Sequence, residues 1–329
     1  MSASDNSPMS YSPTGTTPPS TPLWRRALLY ALFAGFALWC VLAFQRDLAQ
    51  ISLAPFKEGW WAVAVAAGLS LFNYALRVMR WQWYMRRAGH RLPWGFTALA
   101  FMSGFAFTLS PGKVGEMVRA RYYVPKGVPL SATTGAFFVE RLLDLLVMIM
   151  LAAVAFAELQ SYSHFLWVAI GLVLALLLSI AVMPWQRWAE ALKASRPRGW
   201  RAGMLTGVDM FAQSRQFLSP GLLVAGLAVG LVAWGVEAWG LHLVAQVVVP
   251  DQLTLPGAMG IYSIAIIVGA LSFLPGGLGS TEAVMTALLY SHGIPMPQAI
   301  LLTMVCRLLT LWLAVGIGWL CVWALRRQA

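Results

Sequence analysis

The chain has 329 residues, of which 59% are hydrophobic and only 11% charged. A soluble domain carries about 25% charged residues, so this chain has too little charge to cover a water-facing surface, and lipid must be its solvent. Lys and Arg outnumber Asp and Glu by 23 to 12. In a membrane chain such an excess marks the cytoplasmic loops, and no nucleic-acid partner is implied. Cys40, Cys306 and Cys321 lie in apolar segments and give no disulfide framework. His90, His164, His242 and His292 are scattered without metal-ligand spacing. No metal or other cofactor is expected.

In chain order, residues 1–23 are rich in Ser, Thr and Pro with a single charge, Asp5, and read as a disordered tail. Arg25-Arg26 then precede an apolar run with no small-residue cleavage site near Arg46, which reads as an uncleaved anchor. From residue 24 to 329 the chain reads as one all-α membrane domain. Long apolar segments at 27–44, 59–76, 131–157, 164–183, 219–243 and 297–325 are predicted to span. Two more, 94–109 and 257–274, stop abruptly at Pro-Gly, where Pro removes a backbone donor and Gly favours a turn. The first would be about 24 Å long as a helix, short of a hydrocarbon core of ~30 Å. Between the halves, 184–218 carries Arg187, Lys193, Arg196, Arg198 and Arg201; it reads as an amphipathic cytoplasmic linker on anionic lipid, or as a plain solvated loop.

Positive charge separates two topologies. If all eight segments cross with the N-terminus inside, nine Lys and Arg fall in cytoplasmic loops and twelve outside. If both Pro-Gly segments dip in and return, nineteen are cytoplasmic and only Arg46 and Lys57 lie outside, with Arg141 and Arg307 inside spans. The positive-inside rule favours the second arrangement. It predicts six spans, two re-entrant helical hairpins and both termini in the cytoplasm. Charge tests the second hairpin weakly, because letting it span moves only Arg326 and Arg327.

An internal repeat supplies a further test. Pro111-Gly112-x-x-Gly115 matches Pro275-Gly276-x-x-Gly279; after two extra residues, Ser280-Thr281, Glu116 matches Glu282, Gly127-x-Pro129 matches Gly293-x-Pro295, and Arg141 matches Arg307. Gly127 and Gly293 suit a left-handed helix end, with Pro129 and Pro295 opening the next helix. Each repeat is therefore span, broken hairpin, span, over about 59–157 and 219–325. The charge-derived topology starts the first outside and the second inside, so the repeats are predicted to be inverted, a transporter signature.

The stretches P-G-K-V-G-E-M-V-R (111–119), V-E-R-L-L-D (139–144) and L-P-G-G-L-G-S-T-E-A (274–283) resemble the flippase-like membrane domain of lysylphosphatidylglycerol synthases, over roughly residues 25–325. The resemblance implies a bacterial inner-membrane protein. In the full-length synthases this domain is thought to move aminoacylated phosphatidylglycerol between leaflets, while a separate cytosolic domain makes it. This sequence ends at Ala329 just after the last span, so aminoacyl transfer is not expected. Stand-alone members are associated with hopanoid, glycolipid or polyprenyl-phosphate pathways, which implies a phospholipid or a polyprenyl- or hopanoid-type lipid as partner, and a lipid-biosynthesis enzyme as a second one.

Ionisable residues inside a membrane are costly and face a polar interior. Glu140, Arg141 and Asp144 are spaced to share a helix face, either as a self-neutralising lock or as a ligand site. Arg307 has no local acid, and Glu282 and Glu237 are its candidate partners. Glu237, alone in an apolar span, reads as a proton, cation or amine site, or as the partner of Arg307. Glu116 and Arg119 follow the first Pro-Gly turn, where free amides and a half-helix N-terminus suit a lipid phosphate. Lys113 and Arg121 there read as ordinary cytoplasmic charge. Arg77 and Arg80, following Asn73, read as snorkelling anchors at a span end or as collectors of anionic head groups.

The expected phosphate set is thus Arg77, Arg80, Gly112, Arg119, Arg141, Gly276 and Arg307; the carboxylates for coupling or amine binding are Glu116, Glu140, Asp144, Glu237 and Glu282; Pro111, Gly115, Pro275 and Gly279 shape the turns. The expected function is a non-enzymatic lipid or lipid-linked-carrier translocase. The competing expectation is a non-transporting scaffold for a lipid-pathway enzyme. A lipid-modifying enzyme is disfavoured, since no Ser/His/Asp or Cys/His constellation, H-E-x-x-H or Walker loop is present.

Overall fold

The computed structural model describes residues 52–156, 163–195 and 199–328. The expected tail (1–23) and first span (27–44) lie outside the described residues. Every regular element among those residues is helical: α1 (Pro55–Arg87), α2 (Trp94–Ser103) with a 3-10 extension (Gly104–Phe107), a 3-10 turn (Pro111–Arg119), α3 (Ala120–Tyr123), a 3-10 turn (Val124–Lys126), α4 (Leu130–Phe156), α5 (Ser163–Val182), α6 (Trp185–Ala194), α7 (Trp200–Ser214), a 3-10 turn (Arg215–Phe217), α8 (Pro220–Val248), α9 (Leu255–Leu271), a 3-10 turn (Pro275–Gly277), α10 (Ser280–Ser291), α11 (Met296–Arg307), a π turn (Leu308–Trp312) and α12 (Leu313–Gln328).

Among the described residues, three helical stretches are long and apolar enough to cross a membrane unaided: Pro55–Arg87, Pro220–Val248 and Met296–Arg327. A fourth arises if Trp167–Val182 and Trp185–Ala194 count as one broken span, bent by 63°. Pro184 sits at that bend, and a proline accounts for it by breaking the backbone ladder. The linker is not the plain loop that was its alternative reading. It is largely α6 and α7, and α7 packs on α4, with Ser214 Oγ donating to the Gly135 carbonyl at 3.3 Å.

The first helix is longer than its apolar run suggested, because Arg77 and Arg80 do not end it; α1 continues to Arg87. Its partner is α8, and the contacts between them recur every seven residues on each helix. Gly59 meets Val247, Ala66 meets Gly240, Asn73 Nδ2 donates to the Ala233 carbonyl at 2.7 Å, and Arg80 Nη1 reaches the Gly226 carbonyl at 3.5 Å. Rising numbers on one helix meet falling numbers on the other, so α1 and α8 run antiparallel. Small residues at the seam let the backbones approach, the usual way helices associate without a hydrophobic driving force.

Both Pro-Gly segments double back. After the first turn, Tyr123 Oη returns to the Thr97 carbonyl at 3.2 Å, and its ring lies edge-on to Phe96. After the second, His292 comes back beside Gly257 near the start of α9. Gly127 and Gly293 end the two returns with φ of 83° and 93°, the left-handed geometry expected of them.

The packing is exchanged between halves. The first arm of hairpin one, α2, lies along α12 from the second half, while the corresponding arm of hairpin two, α9, lies along α4 from the first. The two Pro-Gly turns touch each other. Gly276 carries φ of 62° directly against Leu109, so only a residue without a side chain fits there. One buried apolar cluster gathers Trp81, Tyr84, Phe101, Tyr123, Val139 and Ile180; another gathers Leu241, Tyr262, Met285, Leu289 and Leu302. Neither cluster is confined to one half: α1 and α4 contribute to both, and Ala314 of α12 joins the first.

Candidate functional site

Charge collects where α1, α4 and the first Pro-Gly turn meet. Glu140, 1% exposed, lies within 3.0–3.5 Å of four guanidinium groups: Arg77 at 3.5 Å, Arg80 at 3.3 Å, Arg119 at 3.3 Å and Arg141 at 3.0 Å. Asp144 one turn along takes a 2.6 Å hydrogen bond from Arg80 and an ion pair at 3.0 Å from Arg141. The i,i+4 spacing of the two acids aims both at the same cations. Glu116 sits 3.9 Å from Arg119 and accepts from Thr108 Oγ1 at 2.9 Å, which ties the return limb to the end of α2's extension. Four arginines against three carboxylates leave the cluster with a formal charge of +1.

Aromatic faces complete the enclosure. The Arg119 guanidinium lies 4.0 Å above the Trp81 ring, with Phe101 and Phe137 at 4.7 and 5.0 Å. Arg77 is ringed by Phe105, Trp234 and Phe101 at 5.2–5.8 Å. A guanidinium tolerates such a shell because its weak hydration and flat face suit stacking.

Arg77 and Arg80 are therefore not snorkelling anchors at a span end. They are buried, Arg80 completely, because Glu140 and Asp144 draw them inward. Arg141 differs from its neighbours. Its side chain is 21% exposed, and its Nη2 lies near both acids without the alignment of a hydrogen bond.

The second turn is simpler. Arg307 Nε donates to Glu282 Oε1 at 2.6 Å, and its Nη2 donates to the Gly276 carbonyl at 2.9 Å. Of the two acids the sequence offered, Glu282 is the partner. Its other oxygen accepts from the Gly279 amide at 2.7 Å, opening α10. The Gly279 amide is thus met by the protein's own carboxylate, and Gly276, expected beside a phosphate, presents its carbonyl to Arg307. Pro111, Gly112 and Gly115 lie in the 3-10 turn Pro111–Arg119. A side chain at Gly115 would strike the Phe107 carbonyl and Ser110.

Glu237 is buried in α8, 3.3 Å from Tyr262 Oη and 3.5 Å from Ser70 Oγ, both oriented to donate. A cavity of about 10 Å³, lined by Ser70, Glu237, Gly240, Cys306 and Thr310 among others, adjoins it. That is about the space of one water. Beyond it Tyr74 Oη donates to the Thr310 carbonyl at 2.6 Å, in the π turn that follows Arg307. Sequence spacing gave no sign of Ser70, Tyr262 or Thr108 as partners, because each comes from a distant segment and looks like ordinary helix filler.

No curated protein matches the chain. Residues 26–318 match the family described as the lysylphosphatidylglycerol synthase TM region. The chain belongs to that family of membrane proteins.

Proposed function

We propose that this protein is a translocase for a lipid or lipid-linked carrier with an anionic or zwitterionic head group, acting in the bacterial inner membrane and catalysing no chemistry of its own. The observation that carries this reading is the ion cluster around Glu140, buried beside the first of two touching Pro-Gly turns in a chain built largely of apolar helices. Removing charges from water costs several kcal/mol per ion, and a well-packed apolar core is often the more stable alternative. A membrane fold that keeps seven such groups together has a use for them.

The chain crosses six times and dips twice, with both termini in the cytoplasm. Its two halves are inverted repeats. The antiparallel pairing of α1 with α8 and the exchanged packing of α2 on α12 and α9 on α4 support that symmetry. The head group passes through a polar groove between the repeats while its tails stay in the bilayer. In the closed state, Arg119 is held by Glu140 and Arg307 by Glu282. An incoming phosphate competes for these cations, first for Arg141, the least enclosed of them. Glu237 carries a proton or meets an amine. Rocking of one repeat against the other opens each side in turn.

The test is leaflet exchange of a fluorescent anionic lipid in proteoliposomes. Wild type should accelerate it. Arg141→Gln and Arg307→Ala should each slow it on the order of tenfold, equivalent to about 1.4 kcal/mol on the barrier. Equal exchange by all three would remove the reading.

A second reading has an observation of its own. Internal pairing of every charge in the cluster is what a non-transporting scaffold for a hopanoid, glycolipid or polyprenyl-phosphate enzyme would show. It requires that Glu237→Gln leave function intact and that a synthase co-purify in stoichiometric amount.

A further inference from the structure

At the base of the first hairpin lies a cleft of about 550 Å³ between the return limb and α12. Its wall is apolar: Phe96, Phe107, Val118, Pro125, Val322 and Leu325. Its polar lining among the described residues is Tyr122 with three cations, Arg121, Lys126 and Arg326, and no carboxylate is among them. All three cations are exposed, and Lys126 Nζ sits 5.7 Å from the Phe96 ring.

The positive-inside rule alone would put Lys and Arg near this end of the protein. It does not explain why residues of two remote segments, 96–126 and 322–326, converge on one greasy concavity. Nor is the arrangement repeated in the other half, where Ala287 and His292 occupy the places of Arg121 and Lys126. The concavity is also larger than the space of one water beside Glu237.

We propose that this cleft is a binding site for an anionic phospholipid, with the phosphate held by Arg121, Lys126 and Arg326 and the start of an acyl chain lying on Phe107, Val118, Val322 and Leu325. The chemistry follows from the lining. Guanidinium groups bind phosphate oxygens in pairs and an ammonium acts as a point charge, while the apolar wall has no use for a free inorganic ion. The site is separate from the Glu140 cluster and requires no transport. Occupancy would hold α12 against the hairpin, the contact that also carries the close approach of Gly318 to Ala106.

The experiment uses the full chain in nanodiscs of phosphatidylcholine with a minor share of phosphatidylglycerol, and counts retained phosphatidylglycerol by native mass spectrometry. Each of Arg121→Gln, Lys126→Gln and Arg326→Gln should weaken retention about fivefold, given ~1 kcal/mol per basic residue near anionic lipid. The triple variant should lose on the order of a hundredfold on the same scale. The control triple Arg86→Gln, Arg87→Gln and Arg91→Gln removes equal charge from exposed positions outside the cleft and should retain lipid like wild type. Equal loss in the two triples, or none in the first, overturns the proposal. So does displacement of the lipid by millimolar inorganic phosphate, which would make the occupant a free anion. Because the readout is binding, it stands apart from leaflet exchange: a variant that retains lipid but does not move it indicts the translocase reading alone.

Discussion

Arg307 holds Glu282 at 2.6 Å and the Gly276 carbonyl at 2.9 Å, so one side chain at the end of α11 fastens both the second Pro-Gly turn and the helix that follows it. Its counterpart in the first half, Arg141, is instead one member of a crowd, sharing Glu140 and Asp144 with three other arginines. The two matched arginines should therefore fail differently when removed.

Arg307→Ala leaves Glu282 without its cation in a largely buried place, and breaking such a pair costs about 3–5 kcal/mol. Arg307→Lys keeps a charge but not the two-point grip, and should fall between Ala and wild type. Thermal unfolding in detergent, followed by loss of monodisperse protein, ranks the three. An Ala variant as stable as wild type would show that the turn is held by something else.

Glu140→Gln should be more damaging than Asp144→Asn. Glu140 lies against four arginines, whereas Asp144 pairs with two. Withdrawing the shared acid leaves buried like charges facing one another. The check is expression and thermal stability of both variants side by side; the opposite order would mean that the Arg80–Asp144 bond dominates the cluster.

Gly276→Ala meets two obstacles, a φ of 62° and Leu109 at 2.7 Å from the new methyl. The left-handed backbone alone costs about 1–2 kcal/mol per residue. Adding Leu109→Ala relieves the contact and not the backbone, so rescue should be partial. Complete rescue would assign the whole effect to the contact between turns.

Glu237→Gln keeps a carbonyl oxygen for Ser70 and Tyr262 and removes only the capacity to ionise. Stability should hold within about 1 kcal/mol, as for a hydrogen-bonded swap of similar shape. Leaflet exchange in proteoliposomes should lose its dependence on an imposed pH gradient. A variant with the wild-type dependence would take the proton away from Glu237.

Cysteine labelling checks the topology directly. Arg91 and Lys126, exposed at the base of the first hairpin, should be reached from the cytoplasmic side. Gln252 and His292, exposed at the base of the second, should be reached together from the opposite side. Separation of either pair would make that segment a span.

The sequence by itself determined the solvent, the helices and the breaks between them. Those are local or compositional properties: an apolar run long enough to span, a proline that withholds a donor, a glycine free to take positive φ. The internal matches also singled out Glu116, Arg141, Glu282 and Arg307, and Glu140 and Asp144 stood out beside them, because charge in an apolar chain is conspicuous wherever it stands. Only the tertiary structure decided who meets whom. Arg77 and Arg80 looked like the end of a helix until α4 brought Glu140 and Asp144 beside them. Glu237 was one of two candidate partners for Arg307, and the structure puts Tyr262 and Ser70 at its carboxylate and Glu282 at the arginine. Ion pairing in a low-dielectric medium is set by distance and orientation between remote segments, and spacing along the chain carries no record of either.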